Sequence, residues 1–314
     1  MSLINLPVSR GTISRIGVVG LGRMGSVFAT NLLENGYAVT VHDRDAERVS
    51  ELGKHGAFAA GDVADLATCD LVITSLPNDA ALTSVTLAPG GLLETLGRGA
   101  VHVSTSTVSP GAARQLAERH QNAGQLYVSA PVLGNPDLAR ARKLFVLASG
   151  AQAGLDRASP VLQHLGQRVF TLGDDPGAAN IMKLGGNVLT ALTLQSMGEV
   201  LALLRKCGIE GEKGFEVLTQ SLFDGKVHKA YGGKIVEERH TPGMAVPLAV
   251  KDLRLALAEA EAAAVPMPAA SIVHDRLVAM MGRGWSGLDW SALGLLAAVD
   301  AGLPVRTKPA SQGG

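Results

Sequence analysis

Residues 15–25 read RIGVVGLGRMG, a short apolar run that ends in the pattern Gly-x-Gly-x-x-Gly and opens into a segment compatible with a helix. A second apolar run covers residues 37–41, and the acid Asp43 follows it, 18 residues beyond Gly25. The order of these features predicts a strand, a glycine turn, a helix and a second strand with an acid at its end. That arrangement binds dinucleotides, so the sequence predicts a site for NAD or NADP.

Each glycine of the turn has a separate task in such a site. Gly20 permits the tight turn, Gly22 lets the pyrophosphate approach the backbone, and Gly25 lets the helix pack closely on the strand. The backbone N–H groups at the start of the helix then face the phosphates. The candidate cofactor-binding residues of the turn are Gly20, Leu21, Gly22, Arg23, Met24 and Gly25.

The choice between the two cofactors depends on residues 42–45, which read HDRD. Asp43 can accept hydrogen bonds from a ribose hydroxyl and would repel a 2′-phosphate. Arg44 could instead pair with that phosphate, whereas Asp45 adds a second acid nearby. The sequence therefore favours NAD slightly and leaves NADP open.

The composition argues against several other classes of protein. Lys and Arg together number 28, as do Asp and Glu, and aromatic residues make up only 4%, so no nucleic-acid partner is expected. Cys69, Cys207 and the eight histidines show no metal-ligand spacing, so the sequence predicts no metal site. Residues 1–12 do not resemble a signal peptide, and residues 188–204 are too short and too polar for a membrane span. We therefore expect a cytoplasmic protein.

The first half of the chain alternates β-rich runs with helical stretches, which is typical of a parallel sheet covered by helices on both faces. Strand candidates are residues 16–19, 38–41, 71–75, 100–103, 126–129, 144–148 and 168–171. Beyond residue 177 the helix candidates are residues 178–207, 212–222, 248–264, 268–282 and 291–301. The predicted fold class is α/β, with an N-terminal Rossmann-like doubly wound parallel sheet followed by an all-α C-terminal domain.

The predicted boundaries separate a dinucleotide-binding domain (1–175), a helical substrate and dimerisation domain (176–303) and a disordered tail (304–314). Ligands of parallel sheets lie beyond the carboxyl ends of the strands, so Leu76 and Pro77 are further cofactor-binding candidates. The active site is expected in the cleft between the two domains. An apolar helix of about thirty residues needs another surface to cover it, so a homodimer or homotetramer is predicted.

Lys183 and Asn187 are the candidate catalytic residues. They are four residues apart, so both project from one face of the predicted helix. Gly185 and Gly186 inside this helix cost about 1 kcal/mol each relative to alanine, which indicates that something approaches closely there. An amine that takes a hydroxyl proton and an amide that fixes the oxygen suit alcohol oxidation. The alternative is a lysine at the surface of an amphipathic helix, which for an arbitrary lysine is the far commoner case.

With these residues, the chain resembles the β-hydroxyacid dehydrogenase family, which includes 3-hydroxyisobutyrate dehydrogenases and tartronate semialdehyde or succinic semialdehyde reductases. Residues 20–25 resemble its cofactor motif, and residues 104–110 resemble a loop in which the threonine at Thr107 touches the cofactor. The resemblance implies that Lys183 is the catalytic lysine and that Asn187 contacts substrate. It also implies that Lys251, in a Lys-Asp-Leu motif, reaches the cofactor or active site. The likeness extends over residues 13–303 and includes a late element at residues 289–293.

One motif departs from the family pattern. Its substrate loop usually reads Asp-Ala-Pro-Val-Ser-Gly-Gly, whereas residues 129–135 read SAPVLGN. Leucine cannot donate a hydrogen bond, so the substrate is expected to be bulkier or less acidic than 3-hydroxyisobutyrate. The candidate substrate-binding residues are Val132, Leu133, Gly134 and Asn135.

The predicted activity is hydride transfer between NAD(P) and a small β-hydroxy acid or the corresponding semialdehyde or keto compound. One alternative is an imine or ketone reductase, although imine reductases usually place an acid or tyrosine where this chain has Lys183. A second alternative is a catalytically silent cofactor-binding scaffold, against which the retention of Lys183, Asn187 and Lys251 argues.

Overall fold

The computed structural model describes residues 13–305, which form two compact units that divide between Lys183 and Leu184. The strands are β1 (Arg15–Val19), β2 (Ala38–His42), β3 (Phe58–Ala59), β4 (Leu71–Thr74), β5 (Val101–Ser104), β6 (Leu126–Ser129), β7 (Val132–Leu133), β8 (Phe145–Ala148) and β9 (Arg168–Thr171). The helices of the first unit are α1 (Gly25–Glu34), α2 (Ala46–Lys54), α3 (Asp79–Leu87), α4 (Leu92–Thr95), α5 (Pro110–Asn122), α6 (Pro136–Arg140) and α7 (Gln152–Leu162). The remaining helices are α8 (Ala178–Lys206), α9 (Gly211–Thr219), α10 (Lys226–Val236), α11 (Val246–Ala262), α12 (Pro268–Gly282) and α13 (Leu293–Asp300).

A six-stranded parallel sheet forms the centre of the first unit, in the order β3-β2-β1-β4-β5-β6. The chain moves outward from β1 to β3, then returns and continues on the other side of β1 with β4. This is the doubly wound order in which ligands bind where the direction reverses, beyond the carboxyl ends of β1 and β4. The central strands are buried because helices cover both faces, as Ile16, Val18, Leu71 and Ile73 show. The predicted fold class is thereby confirmed.

The last three strands of the first unit form a separate small sheet in the order β7-β8-β9. β7 pairs with β8 in antiparallel orientation, and β8 pairs with β9 in parallel orientation. The sequence predicts β8 and β9 as strands but does not distinguish this second sheet. It also misses β3 and β7, because two-residue strands are too short to produce a recognisable alternation.

The second unit is built from helices around an apolar core. In α8 the residues Leu184, Val188, Ala191 and Leu194 are buried at spacings of three and four, which places them on one helical face. Glycines allow α8 and α13 to approach closely, since a Cβ atom on Gly198 in α8 would lie 2.7 Å from the Cα atom of Gly294 in α13.

The sequence pattern does not predict α10, because Gly232 and Gly233 are typical of a break between helices. In the structure both glycines lie inside α10. A Cβ atom on Gly232 would lie 2.6 Å from the ring of Phe215 in α9, so close packing requires glycine at this position. The helix tolerates the glycine because tertiary packing overrides its low intrinsic helix propensity.

Helix α8 extends for 29 residues, close to the predicted 178–207. The predicted domain boundary, between residues 175 and 176, lies just before this helix, whereas the two compact units divide after Lys183 inside it. The first turn belongs to the first unit because Ala179 and Asn180 are buried there by contacts with strand ends. Most of the predicted tail, residues 306–314, lies outside the described residues, as do residues 1–12.

By length and composition alone, α8 meets the criteria for a membrane span, with a mean hydropathy of 1.3 in its most apolar window. Helix α8 spans Ala178–Lys206, whereas the segment judged too short from the sequence covers only residues 188–204. Half of that window is buried inside the structure, and core helices of soluble proteins meet the same criteria. That no segment of the chain spans a membrane stays a prediction.

Four buried polar side chains in the first unit form a continuous series of hydrogen bonds. The Thr74 hydroxyl lies 2.9 Å from Nε2 of His102, Nδ1 of His102 lies 2.9 Å from Nε2 of His120, and Nδ1 of His120 lies 2.6 Å from Oε1 of Gln125. The Gln125 amide donates to the carbonyl oxygens of Leu93 and Leu96, so its oxygen must accept from His120. Two neutral imidazoles satisfy every partner, and burial lowers the pKa of both histidines.

We expect the free energy of unfolding to fall between pH 7.5 and pH 5.5. Buried histidines with lowered pKa values stay neutral in the folded protein, whereas in the unfolded chain they take up protons below about pH 6.5. Each such histidine lowers the free energy of unfolding by about 1 kcal/mol at pH 5.5, as measured by urea titration. The carboxyl groups with lowered pKa values, among them Asp70 and Asp289, act only below about pH 4.

The variant His120→Gln keeps a donor and an acceptor but cannot bind a proton, so its stability should depend less on pH. His55→Gln is the matched control, because the side chain of His55 is 60% exposed. Equal stability of the unmodified protein at the two pH values would contradict this prediction.

Candidate active site

The glycine turn between β1 and α1 has the close contacts that its sequence predicts. Gly20 has a φ of +89°, and a Cβ atom there would lie 2.4 Å from the carbonyl oxygen of Ser75. A Cβ atom on Gly25 would lie only 1.9 Å from the carbonyl oxygen of Gly20. Gly22 is different, because a Cβ atom there would have no neighbour within 4 Å. Two glycines thus close the turn, and the third leaves its backbone open to a ligand.

The N-terminus of α1 suits a phosphate group. Met24, at the N-cap position, makes no side-chain hydrogen bond to the helix, and the first turn contains no acidic residue. Asp45, Asn78 and Ser109 cap α2, α3 and α5 with their side chains, whereas other helix starts, such as those of α7 and α11, lack a side-chain cap as α1 does. An uncapped helix start presents backbone N–H groups and a partial positive charge. These residues therefore fit the pyrophosphate of NAD(P), which binds at such a helix start.

Asp43 connects the glycine turn to the end of β2. Its carboxylate accepts hydrogen bonds from the backbone N–H groups of Leu21 (2.6 Å) and Asp45 (2.9 Å). Arg48, in α2, lies 3.8 Å from the Asp43 carboxylate and 3.1 Å from the Asp45 carboxylate. Arg44 is exposed next to them. Both acids near the expected ribose position are thus partly neutralised by one arginine.

The loops after β4 and β5 are tied to each other at the same edge of the sheet. The backbone N–H of Leu76 donates to the Ser106 hydroxyl at 2.8 Å, and the Thr105 hydroxyl donates to the Thr74 carbonyl oxygen at 2.9 Å. Pro77 and Thr107 lie in these two loops, Pro77 exposed and Thr107 half-buried. The structure thus places both candidates in loops that follow neighbouring parallel strands, β4 and β5.

Lys183 lies in the second turn of α8, and the beginning of this helix is firmly held. The Ser149 hydroxyl, just after β8, donates to the carbonyl oxygen of Pro176 (3.1 Å) and accepts from the backbone N–H of Ala179 (3.0 Å). Asp175 accepts from the backbone N–H of Gly177 and pairs with the Arg114 guanidinium at 2.9 and 2.8 Å. The Lys183 side chain is partly exposed. Its position is therefore set by an anchored helix rather than by a loop.

Asn187 follows Lys183 by one turn of α8 and belongs to a buried polar group of the second unit. Its amide donates to Oδ2 of Asp252 at 2.6 Å, and the Lys251 ammonium lies 2.8 Å from Oδ1 of the same carboxylate. Asp252 is only 2% exposed and Asn187 6% exposed. A buried carboxylate paired with an ammonium and an amide orients both donors.

The candidate substrate loop has its own local structure. Val132 and Leu133 form β7, and a Cβ atom on Gly134 (φ +140°) would lie 2.5 Å from the side chain of Leu144. The Asn135 side chain accepts a hydrogen bond from the backbone N–H of Leu138 at 3.0 Å and so caps α6. The carbonyl oxygen of Asn135 is therefore engaged in this cap, which leaves its amide N–H₂ group as the donor for a substrate.

Asp252, Ser149 and Asn180 are functional candidates that no sequence pattern indicates. In the sequence, Asp252 is visible only as the middle residue of the Lys-Asp-Leu motif that begins at Lys251. Asn187, its other partner, is 65 residues away, and Ser149 is 30 residues from Ala179. A local pattern cannot reveal contacts over such separations. Among residues 13–305, no three His, Cys, Asp or Glu side chains lie together as a metal site would require.

The glycine turn and the uncapped start of α1 are the arrangement of a protein that binds a nicotinamide dinucleotide. Residues 15–173 match the family model described as the NAD binding domain of 6-phosphogluconate dehydrogenase. Residues 177–296 match the one described as NAD-binding of NADP-dependent 3-hydroxyisobutyrate dehydrogenase. The chain belongs to the β-hydroxyacid dehydrogenase family, and it is an NAD(P)-dependent hydroxyacid dehydrogenase.

Similar proteins support this assignment over nearly the whole chain. The chain is 35% identical to the uncharacterized oxidoreductase YfjR of Bacillus subtilis, over 89% of this chain and 98% of that protein. It is 32% identical to 3-hydroxyisobutyrate dehydrogenase of Pseudomonas aeruginosa, over 88% of this chain and 96% of that protein. The crystal structure of 3-hydroxyisobutyrate dehydrogenase from Salmonella typhimurium superposes with a TM-score of 0.83 at 26% identity, covering 90% and 99% of the two chains.

Imine reductases share the fold as well. The enzyme from Streptomyces aurantiacus has a TM-score of 0.63 at 24% identity, a likeness that concerns the fold alone. The family assignment favours hydroxyacid oxidation over this alternative, and it favours an enzyme over a silent cofactor-binding scaffold.

The glycine turn yields a matched pair of variants. In Gly25→Ala the new methyl group meets a backbone oxygen, so we expect a loss of about 2 kcal/mol or more in the free energy of unfolding. In Gly22→Ala the methyl group has open space, so stability should stay within about 0.5 kcal/mol of the unmodified protein. The Kd for NAD(P) of Gly22→Ala should nevertheless rise about tenfold or more, because the methyl group blocks the pyrophosphate.

Urea unfolding measures the first quantity, and fluorescence titration with reduced cofactor measures the second. An unchanged cofactor affinity in a folded Gly22→Ala variant would show that the pyrophosphate does not approach this backbone.

Proposed function

We propose that the enzyme oxidises a small β-hydroxy acid, or reduces the corresponding semialdehyde or keto compound, with Lys183 as general acid and base. The bound nicotinamide takes up or supplies the hydride. Lys183 removes the proton from the substrate hydroxyl during oxidation and returns it during reduction. The observation that carries the proposal is the anchoring of α8 by Ser149 and Asp175, which fixes the lysine in the second turn of the helix.

Asn187 is proposed to hold the substrate oxygen. It lies one helical turn beyond Lys183, so the amide and the amine project from the same side of α8. Because Asp252 accepts one N–H of the Asn187 amide at 2.6 Å, the orientation of this side chain is fixed before substrate binds. Lys251, held by the same carboxylate at 2.8 Å, is proposed to reach the cofactor or the substrate carboxylate.

The substrate is proposed to be bulkier or less acidic than 3-hydroxyisobutyrate. Leu133 replaces the serine of the family loop, and the Asn135 carbonyl oxygen caps α6, so this segment offers fewer groups to an anion. The similar proteins include 2-(hydroxymethyl)glutarate dehydrogenase of Eubacterium barkeri, at 32% identity. That enzyme is named for a hydroxy acid larger than 3-hydroxyisobutyrate, which is consistent with a bulkier substrate for this chain.

Two further proposals concern assembly and location. Met182, Leu189, Val200 and Leu203 lie on one face of α8 and are 50%, 68%, 40% and 61% exposed. A second copy of the chain would cover this apolar face, which supports a homodimer or a larger homo-oligomer.

Cys69 and Cys207 do not form a disulfide, which is consistent with a reducing, cytoplasmic location.

The variant Lys183→Met should lower kcat about a hundredfold or more, because it removes the amine that is proposed to transfer the proton. Lys183→Arg keeps the positive charge but cannot give up a proton at neutral pH, so it should be equally impaired. A panel of hydroxy acids and semialdehydes, followed at the absorbance of reduced nicotinamide, measures the rates.

Lys206→Met, at the exposed end of the same helix, is the control and should retain activity. The Kd for cofactor should remain close to that of the unmodified protein in all three variants. Normal turnover by Lys183→Met would contradict the assigned role.

We propose NAD as the preferred cofactor, because Asp43 lies where the adenosine ribose is expected and bears a negative charge. Asp43→Ser should shift the ratio of kcat/KM values toward NADP by about tenfold, since a charged hydrogen-bond partner of the ribose is lost. Asp45→Asn removes a nearby charge but keeps an oxygen to cap α2, so it should change the ratio less. Steady-state kinetics with both cofactors would contradict the proposal if the two variants left the ratio unchanged.

A further inference from the structure

A single buried amide connects the three segments that carry the proposed chemistry. Oδ1 of Asn180 accepts a hydrogen bond from the backbone N–H of Val108 at 3.4 Å, and its Nδ2 donates to the Ser129 hydroxyl at 3.2 Å. Val108 directly follows the cofactor candidate Thr107, and Ser129 ends β6 immediately before the candidate substrate loop. Asn180 itself lies in the first turn of α8, three residues before Lys183.

Burial makes this connection specific. Asn180 is 1% exposed, so neither end of its amide can exchange its partner for bulk water. An unpaired buried polar group is unfavourable. The two hydrogen bonds of Asn180 therefore fix both the rotation of α8 about its axis and its position along that axis. Asparagine alone among side chains of this size offers both an acceptor for Val108 and a donor for Ser129.

The other contacts at the beginning of α8 do not replace this function. Ser149 holds the backbone at Pro176 and Ala179, and Asp175 holds the backbone at Gly177. These contacts fix the helix end, but they involve neither the loop after β5 nor the Ser129 side chain. Residues three apart on a helix have neighbouring side chains, so a rotation that displaces Asn180 also displaces Lys183.

We propose that Asn180 is a positioning residue for catalysis, which sets the place of the Lys183 amine relative to the cofactor loop and the substrate loop. This inference rests on the proposed function, in which Lys183 transfers the proton. A misplacement of about 1 Å at a reacting group lowers rates by about a hundredfold, so a small rotation of α8 is sufficient for a large effect.

Two substitutions at position 180 separate positioning from folding. Asn180→Leu has a similar size but no hydrogen bonds, and it should lower kcat about tenfold to a hundredfold with less than about a threefold change in the KM for cofactor. Asn180→Asp keeps an acceptor for Val108, and its second oxygen can accept a hydrogen bond from the rotatable Ser129 hydroxyl. It also places a negative charge beside Lys183.

The aspartate variant therefore yields a readout that a purely structural role would not produce. A buried carboxylate next to the lysine favours the protonated amine, so the pH profile of kcat for alcohol oxidation should shift to higher pH. At the optimum of its shifted profile, Asn180→Asp should recover at least about a third of the original kcat, whereas Asn180→Leu should not recover at any pH. Ser129→Ala, which removes one of the two contacts, should lower kcat to an intermediate value.

Gln125→Leu is the matched control for stability. Gln125 is 4% exposed, and its amide donates to the carbonyl oxygens of Leu93 and Leu96 just before β6, so this variant loses buried hydrogen bonds at the opposite end of the strand from Ser129. It should lose stability but keep kcat and an unshifted pH profile. If Asn180→Leu does not fold, Asn180→Asp and Ser129→Ala still test the proposal.

Lys183→Met, measured in parallel, distinguishes a failure of the proposed role of Asn180 from a failure of the proposed role of Lys183. If Lys183→Met is inactive while Asn180→Asp and Ser129→Ala show the original kcat and pH profile, the role of Asn180 is wrong and the role of Lys183 stands. If Lys183→Met keeps its turnover, the proposed function itself is wrong.

Discussion

The position of Lys183 depends on the polar contacts that hold the start of α8 against the ends of β6 and β8. Ser149 fixes the backbone of the first turn, and Asn180 reaches the end of β6 and the loop after β5. The ends of parallel strands are themselves fixed, because the sheet is buried under helices on both faces. A rigid sheet thus determines where the Lys183 amine lies, which a flexible loop could not do to the same accuracy.

The same sheet also positions the cofactor site, through backbone contacts at the end of β1. Gly25 packs against the carbonyl oxygen of Gly20, and this close approach brings the uncapped start of α1 over the carboxyl end of β1. Gly22 remains open at the same place. Backbone geometry therefore creates the phosphate site, whereas the choice between NAD and NADP is proposed to depend on the Asp43 side chain.

The sequence predicts the parts of this structure that are encoded locally. The strands at the centre of the sheet are apolar runs, and the turn at residues 20–25 has a spacing that few other structures require. Two-residue strands such as β7 leave no such pattern, and the glycines in α10 resemble a helix break until the ring of Phe215 is seen beside them. Asp252 and Asn180 could not be found because their partners lie 65 and 51 residues away.

The most direct test of the central claim is a crystal structure of the enzyme with NAD(P) and a hydroxy acid bound. Nζ of Lys183 should lie within hydrogen-bonding distance of the substrate hydroxyl oxygen, at about 3 Å. The Asn180 amide should keep its contacts with Val108 and Ser129 in the same crystal. An amine directed into solvent, away from the substrate, with the start of α8 unchanged, would contradict the account.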